Sequence, residues 1–407
     1  MHVDRDALEI VLHLGGEMFN KRIFGTDSFF DHVYIPEKFT FPDSPALSAV
    51  ELHELSDLLH AAAKESLSQH YNKKIGFTLS GGVDSSLMLY LMKKIYPDSD
   101  IVAYHTDWNY PPRSELEFAR IAAKHAGVEL KVVDVHPDTQ AEYLEDAIIK
   151  HRLVDYGATS AYLAFQKMVE DSVDIAVNSL GLDELFASYT IHRRYYNRSR
   201  IRFLPYSNFL MSSKYYRGLS RKWGTHTAWF ISGADPRPST RFVKNSSISV
   251  VQIFNERMKG DTLWDSIHNW TLDAMLNTYG NAISLMAKAV GLDVIYPYMN
   301  RDLMKRTLSY SETAKRNKAP IRKLMRESYN FPESIASRGE KWDKLGWGGT
   351  GEPYFESKKY LDAIMPSGSA ENDWFTEKAV DEYHRLQDRP TIRSLHMAIF
   401  LKILENA

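Results

Sequence analysis

Between Ile75 and Met92 the chain passes from a short β-rich run, Ile75 to Leu79, through Ser80-Gly81-Gly82-Val83-Asp84-Ser85-Ser86 into a helix-like stretch carrying Leu87, Leu89, Leu91 and Met92. Two successive glycines let a backbone turn sharply and come close to a ligand. Serine hydroxyls and open amides at a helix start supply donors where the helix dipole favours an anion. An acid in the middle of such a site would repel a phosphate unless a divalent cation stands between them, so Asp84 implies Mg²⁺. The segment lacks the Gly-Lys-Ser/Thr ending of a Walker A loop, which disfavours a kinase.

Further β-rich runs follow at Ile101 to Tyr104, Leu130 to Val135 and Asp174 to Val177. A helix of about Ser114 to His125 and two helical stretches between about Thr139 and Val169 separate them. Four strand-like runs with helical crossovers predict an α/β fold with a doubly wound parallel sheet, which binds ligands at the carboxyl ends of its strands. Beyond about Ile191 the pattern turns helical or irregular, so a mostly helical C-terminal region is expected. Residues 1–70 contain a helix from about Pro45 to Leu67 and look like an arm or cap on the core. The expected organisation is therefore an arm (1–70), an α/β core (71–191), a basic aromatic insertion (192–250) and a helical C-terminal part (251–407).

Composition narrows the chemistry. None of the 407 residues is cysteine, which rules out disulfides, thiolate metal sites and a cysteine nucleophile in this sequence. His13, His105, His125 and His136 show no metal-ligand spacing and read as structural or solvent-facing. No apolar stretch approaches the ~20 residues of a membrane-spanning helix, and the start, Met1-His2-Val3-Asp4, shows no leader. A cytoplasmic location is the default expectation. Charge is uneven: from His192 to Val250 there are twelve Lys or Arg against one acid, Asp235, on a chain of formal net charge -2. Cations interleaved with aromatics, as in Arg193-Arg194-Tyr195-Tyr196 and Lys214-Tyr215-Tyr216-Arg217, suit a polyanionic substrate, nucleic acid included.

SGGVDSS at positions 80–86 resembles the PP-loop of N-type ATP pyrophosphatases, and NSLGLDELFASY at 178–189 resembles the SGEGSDELFGGY motif of asparagine synthetases. Residues 292–300 are similar to that family's EVRSPFLD block, with Pro297-Tyr298 standing for Pro-Phe. Lys318 and Arg322 match its Lys and Arg on a helix, Lys344-Leu345-Gly346-Trp347 its K-x-G-F loop, and Pro390 to Leu404 its C-terminal helix. This resemblance to the synthetase domain implies an adenine nucleotide alpha hydrolase-like fold using ATP and Mg²⁺. It implies ATP or pyrophosphate binding by Leu79, Ser80, Gly81, Gly82, Asp84, Ser85, Ser86, Tyr104, Ser179 and Gly181. Asp84 and Asp183 would be the metal ligands, facing each other across the pyrophosphate. Lys318 and Lys344 would be catalytic, stabilising negative charge at the reacting centre.

Departures from the family refine the expectation. Without a cysteine, and with about 70 residues ahead of the loop, the chain is expected to lack the family's glutaminase domain. The amine would come from ammonia, a separate subunit or an amine-bearing co-substrate. Leu180 stands where the family has the Glu of SGEG, and Ile295 and Asn300 replace the Arg and Asp of EVRSPFLD. The product is accordingly expected to be an amide other than asparagine. The leading expectation is an AMP-forming, pyrophosphate-releasing amide ligase acting on a small-molecule or peptide carboxylate. Two others stay open: an enzyme that adenylates nucleic acid or another polyanion, and a non-catalytic nucleotide-binding module.

Overall fold

A five-residue run such as Lys74-Ile75-Gly76-Phe77-Thr78 satisfies its main-chain groups only by pairing with neighbours on both sides. The computed structural model describes residues 46–107, 115–135, 159–189, 192, 268, 271, 272 and 280–340, and in it this run is the middle strand of a sheet. The strands are β1 (Lys74–Thr78), β2 (Asp100–Asp107), β3 (Glu129–Asp134), β4 (Ile175–Val177) and β5 (Val294–Ile295). Their order is β3-β2-β1-β4-β5 and every pairing is parallel, with Ile75 opposite both Ile101 and Ile175. The chain winds outward from β1 to β3, then returns to the other side of β1 to place β4. That reversal leaves a crevice at the carboxyl ends of β1 and β4, where doubly wound sheets take their ligands.

Helices cover both faces. On one side lie α1 (Ala49–Leu67), α2 (Val83–Ile95) and α3 (Leu116–Ala126), whose buried residues join Ile75, Phe77, Ile101 and Ala103 in one core. On the other, α4 (Thr159–Glu170) packs with Val102, Tyr104 and Ala176 in a second core. Residues alternate between the two cores along β2, as the pleat of a strand requires. After β4 come the short α5 (Leu182–Leu185), then α6 (Gly280–Ala289) in the second core. Following β5 and a 3₁₀ turn, Pro297–Met299, the chain forms α7 (Arg301–Leu308), α8 (Glu312–Lys315), α9 (Ala319–Glu327) and α10 (Glu333–Ala336).

The expected α/β fold with a parallel sheet and a largely helical later part is present, with two differences. A fifth strand, β5, falls in the part expected to hold none. At two residues it carries no periodicity to read, and it exists because Val177 offers Ile295 an open edge. The second concerns α1, which falls within the expected arm or cap and packs into the core. Ser48 starts it with a capping box: its hydroxyl accepts from the Glu51 N–H while the Glu51 carboxylate accepts from the Ser48 N–H. Leu55, Leu59, Ala62, Ala63 and Leu67 are then wholly buried in the same core as β1. The apolar positions recur at i, i+4, i+7 and i+8, one face of a helix. Packing therefore runs through the boundary expected near residue 70; residues 1–45 lie outside the described part.

Leu59→Ala should therefore lower stability by about 2–5 kcal/mol in equilibrium denaturation, the range for a truncated core leucine. Val50→Ala on the same helix, 78% exposed, should leave it within about 0.5 kcal/mol. Equal effects at the two positions would place α1 outside the core.

Candidate functional site

The end of β1 flows directly into the glycine turn. Leu79 is buried, its N–H donating to the Tyr104 carbonyl at 2.8 Å and its own carbonyl accepting from His105 Nδ1 at 2.8 Å. Gly81 adopts φ +73°, and a Cβ there would sit 2.4 Å from the Ala119 nitrogen in the first turn of α3. Backbone conformation and close approach thus both require glycine. Gly82 caps α2 without a side-chain hydrogen bond, so the amides of the first turn face outward from the crevice floor. The loop folds on itself through the Ser80 and Ser85 hydroxyls, 3.0 Å apart, and the Gly82 N–H, which donates to Ser80 Oγ at 3.2 Å. Ser86 Oγ is buried with no hydrogen-bond partner among the described residues. Asp84 sits in the first turn of α2.

The turn after β4 is built to match. Thr78 Oγ1 donates to the Val177 carbonyl and accepts from Asn178 Nδ2, stitching the two strand ends together. Gly181, at φ +124°, passes so close to Tyr298 that a Cβ would lie 2.9 Å from that residue's Cβ. The buried Tyr298 hydroxyl donates to the Asp84 carbonyl at 2.9 Å, so this ring spaces the two turns. Half-buried Ser179 lies in the same turn, and Asp183 follows in α5.

Asp84 and Asp183 converge on one cation. Lys318 Nζ lies 2.5 Å from Asp84 Oδ1 and 2.6 Å from Asp183 Oδ1, and Lys318 is 7% exposed. Lys318 and Asn317 occupy the left-handed region, at φ +56° and +55°, costing of order 1–3 kcal/mol each for residues other than glycine. Arg322 holds that turn, donating through Nε to the Asn317 carbonyl at 2.8 Å and through Nη1 to the Ala336 carbonyl at 2.6 Å. Two carboxylates against one ammonium leave the cluster short of positive charge. Burial raises the Asp84 carboxyl, against the pull of Lys318, to about 7, and the neighbouring Asp183 adds to the rise. Burial also acts to raise Asp183, but Lys318 overrides it and holds that carboxyl below the usual range. Behind them the Glu184 carboxyl is fully buried, accepts from the Tyr189 hydroxyl at 2.6 Å, and is pushed up to about 8 by burial and then by Asp183.

The donor set suits a hard divalent cation. Two carboxylate oxygens already share one cation position, and among the described residues no group of three or more metal-binding side chains occurs. A cation held there would take its remaining ligands from phosphate and water, as Mg²⁺ does.

Other sequence-derived positions fall differently. Tyr104 borders the loop through its carbonyl only; its side chain faces the second core, and its hydroxyl donates to Asp171 at 2.9 Å. His105, one residue on, points to the loop face and is 4% exposed, so it is structural and not solvent-facing. Leu180 packs against both cores. Asn300 caps α7, its Oδ1 accepting from the Asp302 and Leu303 N–H groups, and donates to Glu65. It is a structural cap, so its difference from the family aspartate says little about substrate. Lys344, His13, His136, the Pro390 to Leu404 helix and the basic segment beyond His192 lie outside the described residues. Arg338 went unnoticed in the sequence: its Nη1 donates to the Ser80 carbonyl at 3.3 Å across 258 positions, a distance no local pattern spans.

Comparison with known proteins places these motifs in one family. The asparagine synthase family model matches residues 54–398. The glutamine-hydrolyzing asparagine synthetase 1 of Bacillus subtilis is 29% identical over 124 residues, 29% of this chain and 19% of that protein. The tRNA-specific 2-thiouridylase MnmA of Pseudothermotoga lettingae is 35% identical over 129 residues, 25% of this chain and 35% of that one. The chain thus spans about a fifth of the first relative's length and about a third of the second's. Among solved structures, NH3-dependent NAD synthetase from Campylobacter jejuni, in complex with nitrate, aligns at 15% identity and a TM-score of 0.26, covering 52% of this chain and 94% of that one. Among the described residues no helix is long and apolar enough to cross a membrane.

An acid whose folded pKa is raised adds stability below its unfolded pKa, and that contribution is lost as pH rises through the folded value. Asp84 should therefore make the ligand-free protein progressively less stable as pH climbs from about 4 to about 7, with no further loss from this group above that. Asp84→Asn should remove that decline and gain on the order of 1–4 kcal/mol over the parent at pH 8, with little difference near pH 4. Thermal melts without divalent cations across pH 4–9 check this, and parallel curves would show Asp84 uncoupled from folding.

Proposed function

The chain belongs to the asparagine synthase family, and on that premise we propose that it is an ATP-dependent, AMP-forming ligase joining a carboxylate to an amine. The observation that carries this reading is the meeting of Asp84 and Asp183, from the turns after β1 and β4, on a single cation position beside the glycine loop. In this reading the loop amides and the hydroxyls of Ser80, Ser85 and Ser86 hold the β and γ phosphates of ATP. The two aspartates hold a Mg²⁺ ion, which when bound would neutralise phosphate charge. With the acids' charge balanced in that way, the Lys318 ammonium would be available to the phosphates, and Lys344 is proposed to assist it.

The substrate carboxylate attacks the α phosphorus, the bond to the bridging oxygen breaks, and pyrophosphate leaves with the electron pair. The chain's part is to align the triphosphate and hold charge on the leaving group, where most of the rate is gained in such transfers. An amine then attacks the acyl carbon, loses a proton, and displaces AMP. With no cysteine in these 407 residues, nitrogen release from glutamine by a cysteine nucleophile is not part of this sequence's chemistry. Leu180, partly buried against both cores where the family motif has glutamate, supports an amide other than asparagine as the product.

A second reading, adenylation of a base in RNA, draws support from the basic segment 192–250 and from the resemblance to a tRNA-specific 2-thiouridylase. Tight tRNA retention that falls steeply with salt would favour it.

Exchange of labelled pyrophosphate into ATP, dependent on an added carboxylate and Mg²⁺, should identify the acid. Hydroxylamine should trap the activated acyl group as a hydroxamate. Asp84→Asn, Asp183→Asn and Lys318→Met should each depress exchange at least about 100-fold, the scale for losing a preorganised charge. Nucleotide binding without exchange against any carboxylate would sink the ligase reading in favour of a binding module.

A further inference from the structure

Two donors that no motif contains grip consecutive carbonyls at the entry to the glycine loop. His105 Nδ1 lies 2.8 Å from the Leu79 carbonyl oxygen, and Arg338 Nη1 lies 3.3 Å from that of Ser80. A carbonyl only accepts, so His105 carries its proton on Nδ1. Burial holds the ring below its usual pKa, which keeps it neutral and in that tautomer. Arg338 is itself fixed: its Nη2 pairs with Glu115 at the start of α3, and its guanidinium stacks over the Phe118 ring with 4.4 Å to the centroid.

Within a trans peptide the C=O and the following N–H point in opposite directions. A hold on the Leu79 carbonyl therefore aims the Ser80 N–H, and a hold on the Ser80 carbonyl aims the Gly81 N–H. The Ser80 carbonyl is pulled toward α3, where Glu115 and Phe118 belong and against which Gly81 is packed. The next amide is thereby turned the other way, toward β4 and the Asp183 turn. Neither the Ser80 nor the Gly81 N–H makes a hydrogen bond among the described residues. Two adjacent open amides facing one side form an anion-binding concavity.

We propose that His105 and Arg338 are positioning residues that orient the Ser80 and Gly81 amides toward a bound pyrophosphate group, touching the main chain and not the ligand. The proposal rests on the phosphate-binding reading of the loop and adds to it the source of the loop's shape. Arg338 lies on the segment that also carries Lys318, with Arg322 joining the Asn317 carbonyl to the Ala336 carbonyl between them. One stretch of chain, 317–338, thus sets both the cation and the amides that meet the phosphates.

Calorimetric titration of the full chain with inorganic pyrophosphate and Mg²⁺ tests this without turnover. Arg338→Met should weaken the Kd about tenfold, as expected when one amide that it orients no longer faces the anion, with binding stoichiometry unchanged. Arg338→Lys should recover part of the loss. His105→Asn, whose amide can still donate to Leu79, should bind better than His105→Phe. An unchanged Kd in Arg338→Met, or a loss appearing only as fewer competent molecules, overturns the proposal while leaving the ligase reading intact. Failure of the unaltered chain to bind pyrophosphate overturns both.

Discussion

Lys318 places one positive charge 2.5 Å from Asp84 and 2.6 Å from Asp183 in the crevice, where two bare carboxylates would drive the turns after β1 and β4 apart. Magnitudes show why the fold accepts the left-handed turn that delivers it. Two residues at positive φ cost of order 1–3 kcal/mol each, whereas a buried charge stripped of its partner costs about 3–5 kcal/mol, and here two acids share the one partner. The two penalties are of the same order, and Arg322 offsets part of the strain through the Asn317 and Ala336 carbonyls. The helices α9 and α10 are in that sense part of the acid pair's surroundings, although they lie on the opposite side of the sequence from the glycine loop.

Much of this arrangement was legible before any coordinates. The alternation of β-rich and helical runs pointed to a parallel sheet, and the strands found at β1 to β4 fall where those runs lie. The glycines and acids at 80–86 and 181–183 announced their proximity because each follows a strand, and strand ends of a parallel sheet share one edge. Lys318 was suggested only through its resemblance to a family position, since a lysine in isolation reads as a solvated surface residue.

What stayed hidden has specific causes. Tyr104 was favoured over His105, yet side chains alternate along a strand, and Ile101 and Ala103 already share the loop face with His105. That parity was available and would have picked the histidine. Tyr298 matched a family phenylalanine, but its hydroxyl reaches the Asp84 carbonyl, a contact between positions 214 apart. Arg338 had no local signature at all. The two-residue β5 is too short to carry a period, and for α1 the period marks a buried face but not the core it joins, which depends on neighbours distant in sequence.

The acid pair also sets an order on the making of the molecule. Ile75 meets Ile175 a hundred positions later, and Asp84 meets Lys318 only after a further long stretch of chain. Closing such separations is slow, and proteins of this kind organise from the N-terminal side as they leave the ribosome. A nascent chain that has exposed β1 through β4 holds both aspartates but not yet the lysine between them. During that interval the crevice carries unbalanced negative charge, and an ion from the surrounding solution is the counter-charge at hand until translation supplies its own.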